Sequence, residues 1–399
     1  SNRLPVVLTR GGDGSWQCEP GSGGLVTALA PVLRNRGGRW IGWHGAVVEE
    51  SGDLAGALGE ASRASGFDLR PVTLAAQERL EYYRGFANES IWPLFHDIPS
   101  RCRFLPSYWT AYRGVCQRFA DVIRRELREH DVLWVHDYHL MGVARELAPG
   151  GRRGPLAFFL HIPFPPLDIF LKLPWRFEIL EDLLHYDLVG FQTLRDRRNF
   201  LQCVRALRPD CRLEGKGAVL RLQVAGRRPL VGAFPIGIDA RQFSADAQAP
   251  AVAEMTRHVH AQFSGQQLLL GVDRLDYTKG VPEKLRALRA ALRQRPDLRG
   301  RVTLTQVVVP SRSEIPEYST LKAEIEQLVG EINGEFTRPG WTPVHYVYRA
   351  LERHELLAYY RAAHALIATP WKDGMNLVAK EYCACQVDEG GVLVHLAGA

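Results

Sequence analysis

No apolar run in the 399 residues is long enough to span a bilayer, so neither a transmembrane helix nor a membrane partner is expected. The opening stretch SNRLPVVLTRGG lacks the charged-then-apolar layout of a signal peptide. Cysteine is sparse and odd in number, at seven, and no C-x-x-C occurs. Cys383 and Cys385 lie two apart in an apolar segment with no histidine at ligand spacing, so neither a disulfide framework nor a zinc site is expected. Reduced thiols in a cytoplasmic protein fit better. The chain has no basic tail, no RNA or DNA motif, no fixed-period repeat and no low-complexity segment. Its net charge of +6 and pI near 9.0 come from arginines interleaved with glutamates, as in RELREH and EKLRALRAALRQRPDLRG. A nucleic-acid partner is therefore not expected, although a modest positive field would recruit phosphorylated small molecules. P-loop, G-x-G-x-x-G and D-x-D signatures are all missing.

What the chain does have is alternation. Strand-like runs, mostly apolar, occur at 131–136, 156–163, 187–192, 230–237, 267–272, 301–309, 344–348 and 364–370. Helix-like segments fall at 113–129, 175–185, 194–207, 282–294, 316–333 and 353–362. Near-continuous apolar strands separated by helices indicate parallel sheets covered on both faces. The length suits two such domains, and PIGIDARQF at 235–243 breaks the alternation before it restarts. The expectation is an α/β protein of two Rossmann-like, doubly wound domains, residues 1–237 and 238–399. Ligands of such sheets bind beyond the carboxyl ends of the strands.

Five stretches carry chemistry. GSGGLVTALAPVL (21–33) sets glycines before an amphipathic run, as a helix N-terminus facing an anion would, or as an ordinary turn. VHDYHL (135–140) ends a strand with an aspartate that can hold sugar hydroxyls, accept a proton or cap a turn. FFLHIPFPP (158–166) follows a buried strand with His161 and a loop stiffened by prolines; His161 reads as a site residue or a structural one. GVDRLDYTKG (271–280) puts Arg274 and Lys279 after a buried strand, a diphosphate clamp of planar fork plus point charge, or else an Asp276–Lys279 surface pair. TPWKDGMNLVAKEY (369–382) ends a strand and opens a helix with the amides of Met375, Asn376 and Leu377. Asp373 and Glu381 bracket that end, and Glu381 suits ribose hydroxyls better than phosphate. WIGWHG, EYYRGFAN and SIWPLFH are aromatic-rich without helical periodicity; most of these rings read as core and some as the rim of a sugar site.

Together these stretches resemble the trehalose-6-phosphate synthase family of retaining glycosyltransferases, over essentially the whole chain. SNRLP, GGLV, W-x-G-W-x-G, EYY-x-GFAN, WPLFH, HDYHL, FFLHIPFP, GFQT-x-x-DRRNF, PIGI, RLDYTKG, PSR, WTPV and DGMNLVAKE occur in family order. The resemblance implies two Rossmann-like domains facing a cleft, the GT-B arrangement, with the donor mainly on the C-terminal domain. Arg274 and Lys279 would hold the donor diphosphate with Gly24 across the cleft. Asp373, Met375, Asn376 and the adjoining Leu377 would serve the donor glucose, and Glu381 the ribose. On the acceptor side the matching residues are Arg3, Trp40, Tyr83, Trp92, Asp137, Tyr138 and Arg312. Arg3, Tyr83 and Arg312 would grip a phosphate, and His161 would line the reaction centre.

Two departures accompany the match. The family has a strand before the position of Ser1, and it continues through several helices beyond GVLVHLAGA, where it reads like VLVLSEFAGA. The implied activity is glucosyl transfer from a nucleotide diphosphate glucose to glucose 6-phosphate with retention, giving α,α-trehalose 6-phosphate. The nucleotide sugar is a substrate, and neither a cofactor nor a metal is expected. Rival readings are transfer to glycerol 3-phosphate and a noncatalytic sensor of phosphorylated sugars. The sequence does not specify the donor base; a homo-oligomer is compatible with it.

Overall fold

Strands that are apolar on both faces need cover on both faces, and the strand Val302–Val309 shows the consequence: six of its eight residues are buried. It lies in a five-stranded, all-parallel sheet ordered Val344–Val347, Val302–Val309, Gln267–Arg274, Ala365–Ala368, Val392–His395. In chain order this is 3-2-1-4-5, the doubly wound order whose direction reverses between the first and fourth strands. Helices Val281–Gln294 and Pro316–Phe336 pack with one side of this sheet around Leu285, Leu304, Ile325 and Ile332. Helices Ala240–Ala247, Pro250–Gln262, Arg353–Ala362 and Leu377–Cys385 share a second cluster around Leu270, Val307, Tyr360 and Leu366.

The structure, a computed structural model, describes residues 1–10, 16–21, 24–47, 54–150, 154–311 and 315–396. Its contacts divide the chain into Ser1–Ile236 and Gly237–Ala399. The first unit holds a six-stranded sheet ordered Leu133–His136, Leu156–Leu160, Leu188–Phe191, Leu230–Ala233, Val219–Gln223, Arg212–Glu214. The first four are parallel; the last two extend the sheet antiparallel. Helix Leu194–Leu207 begins where Thr193 accepts from the Asp196 amide at 3.1 Å, and it buries Phe200, Leu201, Cys203 and Val204.

The helices expected at 194–207 and 353–362 have those bounds, and the one expected at 316–333 continues to Phe336. Elements without a forecast include the strands Arg212–Glu214 and Val219–Gln223, the helices Ala240–Ala247 and Pro250–Gln262, and several in the first 75 residues. Val6–Arg10 and Trp16–Pro20 pair antiparallel, and Arg39–Val47 pairs in parallel with Asp68–Leu74. The aromatic stretch Arg79–Ile91 is a π-helix, and the Trp92 amide after it donates five residues back to Ala87. No described helix is long and apolar enough to cross a membrane.

Candidate active site

In the second unit the candidate residues collect where the strand order reverses. Strand Gln267–Arg274 ends at Arg274, which is exposed. Asp276 then caps a short turn, its Oδ1 accepting from the Thr278 amide at 3.0 Å and the Thr278 hydroxyl at 2.9 Å. Gly280 closes the turn at φ 64°, and an added Cβ would lie 2.4 Å from the Thr369 carbonyl oxygen, so only glycine fits without displacement. That close approach joins the loop to the neighbouring strand end, as does the Trp371 amide donating to Thr278 O at 2.8 Å.

The two loops meet in one ion pair. Lys279 Nζ lies 2.5 Å from Asp373 Oδ2, with both side chains mostly buried. The second oxygen of Asp373 accepts from the Gly374 amide at 2.9 Å. Lys279 thus pairs with Asp373, while Asp276 accepts from Thr278 within its turn and from the Tyr318 hydroxyl at 3.5 Å. Met375 and Asn376 follow, and Asn376 Oδ1 caps helix Leu377–Cys385 by accepting from the Ala379 amide at 3.0 Å. A helix N-terminus presents amides without intrahelical partners, beside one exposed guanidinium and one buried ammonium. Such a corner suits a dianion. Glu381, one helical turn on, accepts from the Tyr360 hydroxyl at 3.0 Å. Burial raises its carboxyl, while that hydrogen bond works in the opposite direction.

In the first unit, the strands Leu133–His136, Leu156–Leu160 and Leu188–Phe191 end side by side and deliver His136, Asp137, His161 and Gln192. Asp137 adopts φ 74°, a left-handed conformation uncommon for a residue with a side chain. Its Oδ1 accepts from the His161 amide at 3.2 Å. His136 Nδ1 faces His161 Nε2 at 3.0 Å, and His161 Nδ1 faces the Gln192 amide nitrogen at 3.4 Å. Burial depresses both imidazoles, His136 to about 2 with His161 as a further cause.

The aromatic candidates form a second group in this unit. Arg3 is exposed, its guanidinium carbon 4.5 Å from the Trp43 ring and 5.3 Å from the Tyr83 ring. Tyr83 stacks on His139 with centroids 5.9 Å apart. Trp40 reaches Arg3 through the backbone, its indole N–H donating to Arg3 O at 2.9 Å while its ring stacks on Phe67. Trp92 packs on Tyr138, whose hydroxyl donates to Asn88 Oδ1 at 3.3 Å. Gly24 is the exposed first residue of helix Gly24–Arg36. Arg312 lies outside the described residues. Sequence reasoning did not single out Trp43, His136, Gln192 or Tyr360. Trp43 had a usable signal: positions 40 and 43 of one strand fall on opposite faces, so only one of the two indoles can share a face with a given neighbour.

The chain resembles known proteins over most of its length. The model for Glycosyltransferase family 20 matches residues 1–396. The trehalose-6-phosphate synthase of Mycolicibacterium smegmatis is 40% identical over 399 residues, covering 99% of this chain and 78% of its own. That of Mycolicibacterium vanbaalenii is 41% identical, covering 99% and 81%. Among solved structures, the UDP-forming α,α-trehalose-phosphate synthase of Burkholderia xenovorans in complex with glucose-6-phosphate superposes with a TM-score of 0.87 at 34% identity, covering 95% of this chain and 83% of that one. An Escherichia coli structure described as trehalose-6-phosphate bound with UDP-2-fluoro glucose gives 0.86 at 34%, covering 96% and 83%.

Proposed function

The chain belongs to glycosyltransferase family 20, and on that premise we propose that it is a retaining hexosyltransferase moving glucose from a nucleotide diphosphate glucose to glucose 6-phosphate. The product is α,α-trehalose 6-phosphate. The observation that carries this reading is the corner at the strand-order reversal, where Arg274, Lys279, Asp373 and the N-terminus of Leu377–Cys385 converge in a chain about two-fifths identical to named synthases. UDP-glucose is the donor this reading favours, because the relatives from Burkholderia are described as UDP-forming.

In this proposal Arg274 and Lys279 neutralise the departing diphosphate, with Gly24 assisting. Asp373 and the amides of Met375, Asn376 and Leu377 hold the donor glucose, and Glu381 the ribose. Arg3, Tyr83 and Arg312 take the acceptor phosphate; Trp40, Trp92, Asp137 and Tyr138 shape the acceptor site; His161 lines the reaction centre. Retention by double displacement would need a carboxylate free to attack the anomeric carbon. Asp373 is tied to Lys279 and the Gly374 amide, and Asp137 to the His161 amide. Front-face attack then remains: the acceptor hydroxyl bonds to the anomeric carbon as the C–O bond to the diphosphate breaks, and the departing phosphate oxygen takes the hydroxyl proton. The protein contributes positioning and charge stabilisation. No cofactor takes part in this scheme, and two cations with a helix N-terminus replace a divalent metal. A nucleotide sugar and a sugar phosphate meet in the cytoplasm, the compartment this reading assigns.

The test is nucleotide release from UDP-glucose, with glucose 6-phosphate or free glucose as acceptor, in EDTA. Release that depends on the acceptor phosphate supports the proposal; no release with any phosphorylated acceptor contradicts it and favours a sensor.

A further inference from the structure

The carboxyl edge of the parallel sheet in the first unit holds a chain of hydrogen bonds whose direction follows from its far end. The Ile236 backbone N–H can only donate, so the Gln192 atom it meets at 2.9 Å is the oxygen, Oε1. The other end of that amide is then NH2, which can only donate, and it faces His161 Nδ1 at 3.4 Å. Nδ1 must accept. A neutral imidazole has one ring proton, so His161 carries it on Nε2, which faces His136 Nδ1 at 3.0 Å. His136 accepts there and keeps its own proton on Nε2. Four groups from consecutive segments of the sheet edge point one way.

We propose that Gln192 and His136 are positioning residues that hold His161 as a neutral imidazole, in its Nε2–H tautomer, at the reaction centre. What that tautomer is for rests on the synthase reading; its existence does not. A transferring glucosyl group gains positive charge as its leaving group departs. An imidazolium alongside would oppose that charge, and a neutral ring does not. Protonating Nδ1 would require Gln192 to turn its oxygen towards His161. Its NH2 would then confront the Ile236 N–H, losing one hydrogen bond and setting two donors together.

The groups around the ring act in the same direction or stand aside. His161 is mostly buried, and burial lowers its affinity for a proton. Among the described residues, two titratable groups from one strand end act on it, His136 and Asp137. His136 stacks at 5.3 Å between centroids and is itself held neutral. Asp137 favours the charged ring, but its Oδ1 is directed at the His161 backbone amide. Phe159 fills a further side, 4.7 Å away between centroids.

The decisive variant is Gln192→Glu, which preserves shape. A carboxylate accepts from the Ile236 N–H and from a protonated Nδ1 alike. A charge at hydrogen-bond distance moves a pKa by about 1–3 units, so His161 should become an imidazolium that much higher on the pH scale. In the full-length chain without substrates, 15N NMR of the parent should show His161 protonated on Nε2 and bare on Nδ1 between about pH 6 and 8. The variant should show both nitrogens protonated over part of that range. Its kcat should acquire an acid limb about 1–3 pH units above the parent's, with the KM for each substrate changed less than about twofold. A parent ring protonated on Nδ1 at neutral pH, or a Gln192→Glu profile superimposable on the parent's, would overturn the proposal. Should Gln192→Glu fail to fold, the parent spectrum still decides. Absence of transferase activity in the parent would sink the synthase reading alone, because the NMR measurement needs no turnover.

Discussion

Arg274 and Lys279 were expected to act alike, yet the structure separates their two substitutions. Arg274 is exposed, with no ion-pair partner among the described residues, so Arg274→Ala should leave the thermal midpoint nearly unchanged while kcat falls by about 10²–10³. Lys279→Ala should lose similar activity and stability besides. It removes the ion-pair partner of Asp373, whose side chain is only 16% exposed. Leaving one partner of a partly buried pair costs about 1–3 kcal/mol. Kinetics paired with urea unfolding check both, and equal midpoints for the two variants would mean the ion pair contributes nothing. The histidines give a second expectation at this scale. The folded pKa values of His136 and His161 lie below that of an unfolded histidine, so the unfolded chain binds more protons below pH 6.5. Stability should therefore fall as pH drops through about 6.5, by up to roughly 1.4 kcal/mol per pH unit for each such group. Urea midpoints from pH 7.5 to 5.5 should show a shallower slope in His136→Asn than in the parent; identical slopes would contradict the buried, neutral ring.

Elements matter here through what they press against. Strand Arg39–Val47 runs beside the first residues, and Gly42 faces their backbone with no room for a side chain. An added Cβ would lie 2.6 Å from the Arg3 carbonyl carbon and 2.7 Å from the Leu4 nitrogen. Gly42→Ala should push that segment outward and carry Arg3 off Trp43 and Tyr83. The predicted result is a KM for glucose 6-phosphate raised about tenfold, or ~1.4 kcal/mol, with the donor KM nearly constant; an unchanged acceptor KM would remove Arg3 from phosphate binding. Legibility also divides by element. Strands buried on both faces read as apolar runs, and helices such as Leu194–Leu207 carry a cap and a regular stripe, so both were visible. Arg79–Ile91 was not, because hydrogen bonds spanning five residues shift the aromatic period off the roughly 3.6 of an α-helix. The strands of the first 75 residues pair outside the main sheet and lack its continuous apolar signal. Arg274 and Lys279 were legible as candidates because two cations follow a buried apolar strand, and Asp373 and Glu381 because they bracket the turn that opens a helix. Gln192 and His136 were not: what distinguishes them is a partner across neighbouring strands, and that exists only once the register is known.

At the scale of the whole molecule, each unit places some of its candidate residues at the carboxyl ends of parallel strands, Arg274 in the second and His136, Asp137, His161 and Gln192 in the first. The second unit gathers cations and a helix N-terminus, suited to a nucleotide diphosphate. The first holds aromatic rings around Arg3 and, at the sheet edge, two facing imidazoles, which suits the proposed phosphorylated sugar and its reacting hydroxyl. On the proposed reading the donor lies mainly with the second unit and the acceptor mainly with the first, and turnover is expected to depend on the acceptor phosphate. The most direct test incubates the protein with UDP-glucose labelled with carbon-13 at the anomeric position. Glucose 6-phosphate and glycerol 3-phosphate are supplied in parallel, and mass and anomeric coupling of the first-formed product are read by NMR. The account predicts a phosphorylated disaccharide from glucose 6-phosphate with both anomeric linkages α, and little product from glycerol 3-phosphate. A β linkage, or preferential transfer to glycerol 3-phosphate, would contradict it.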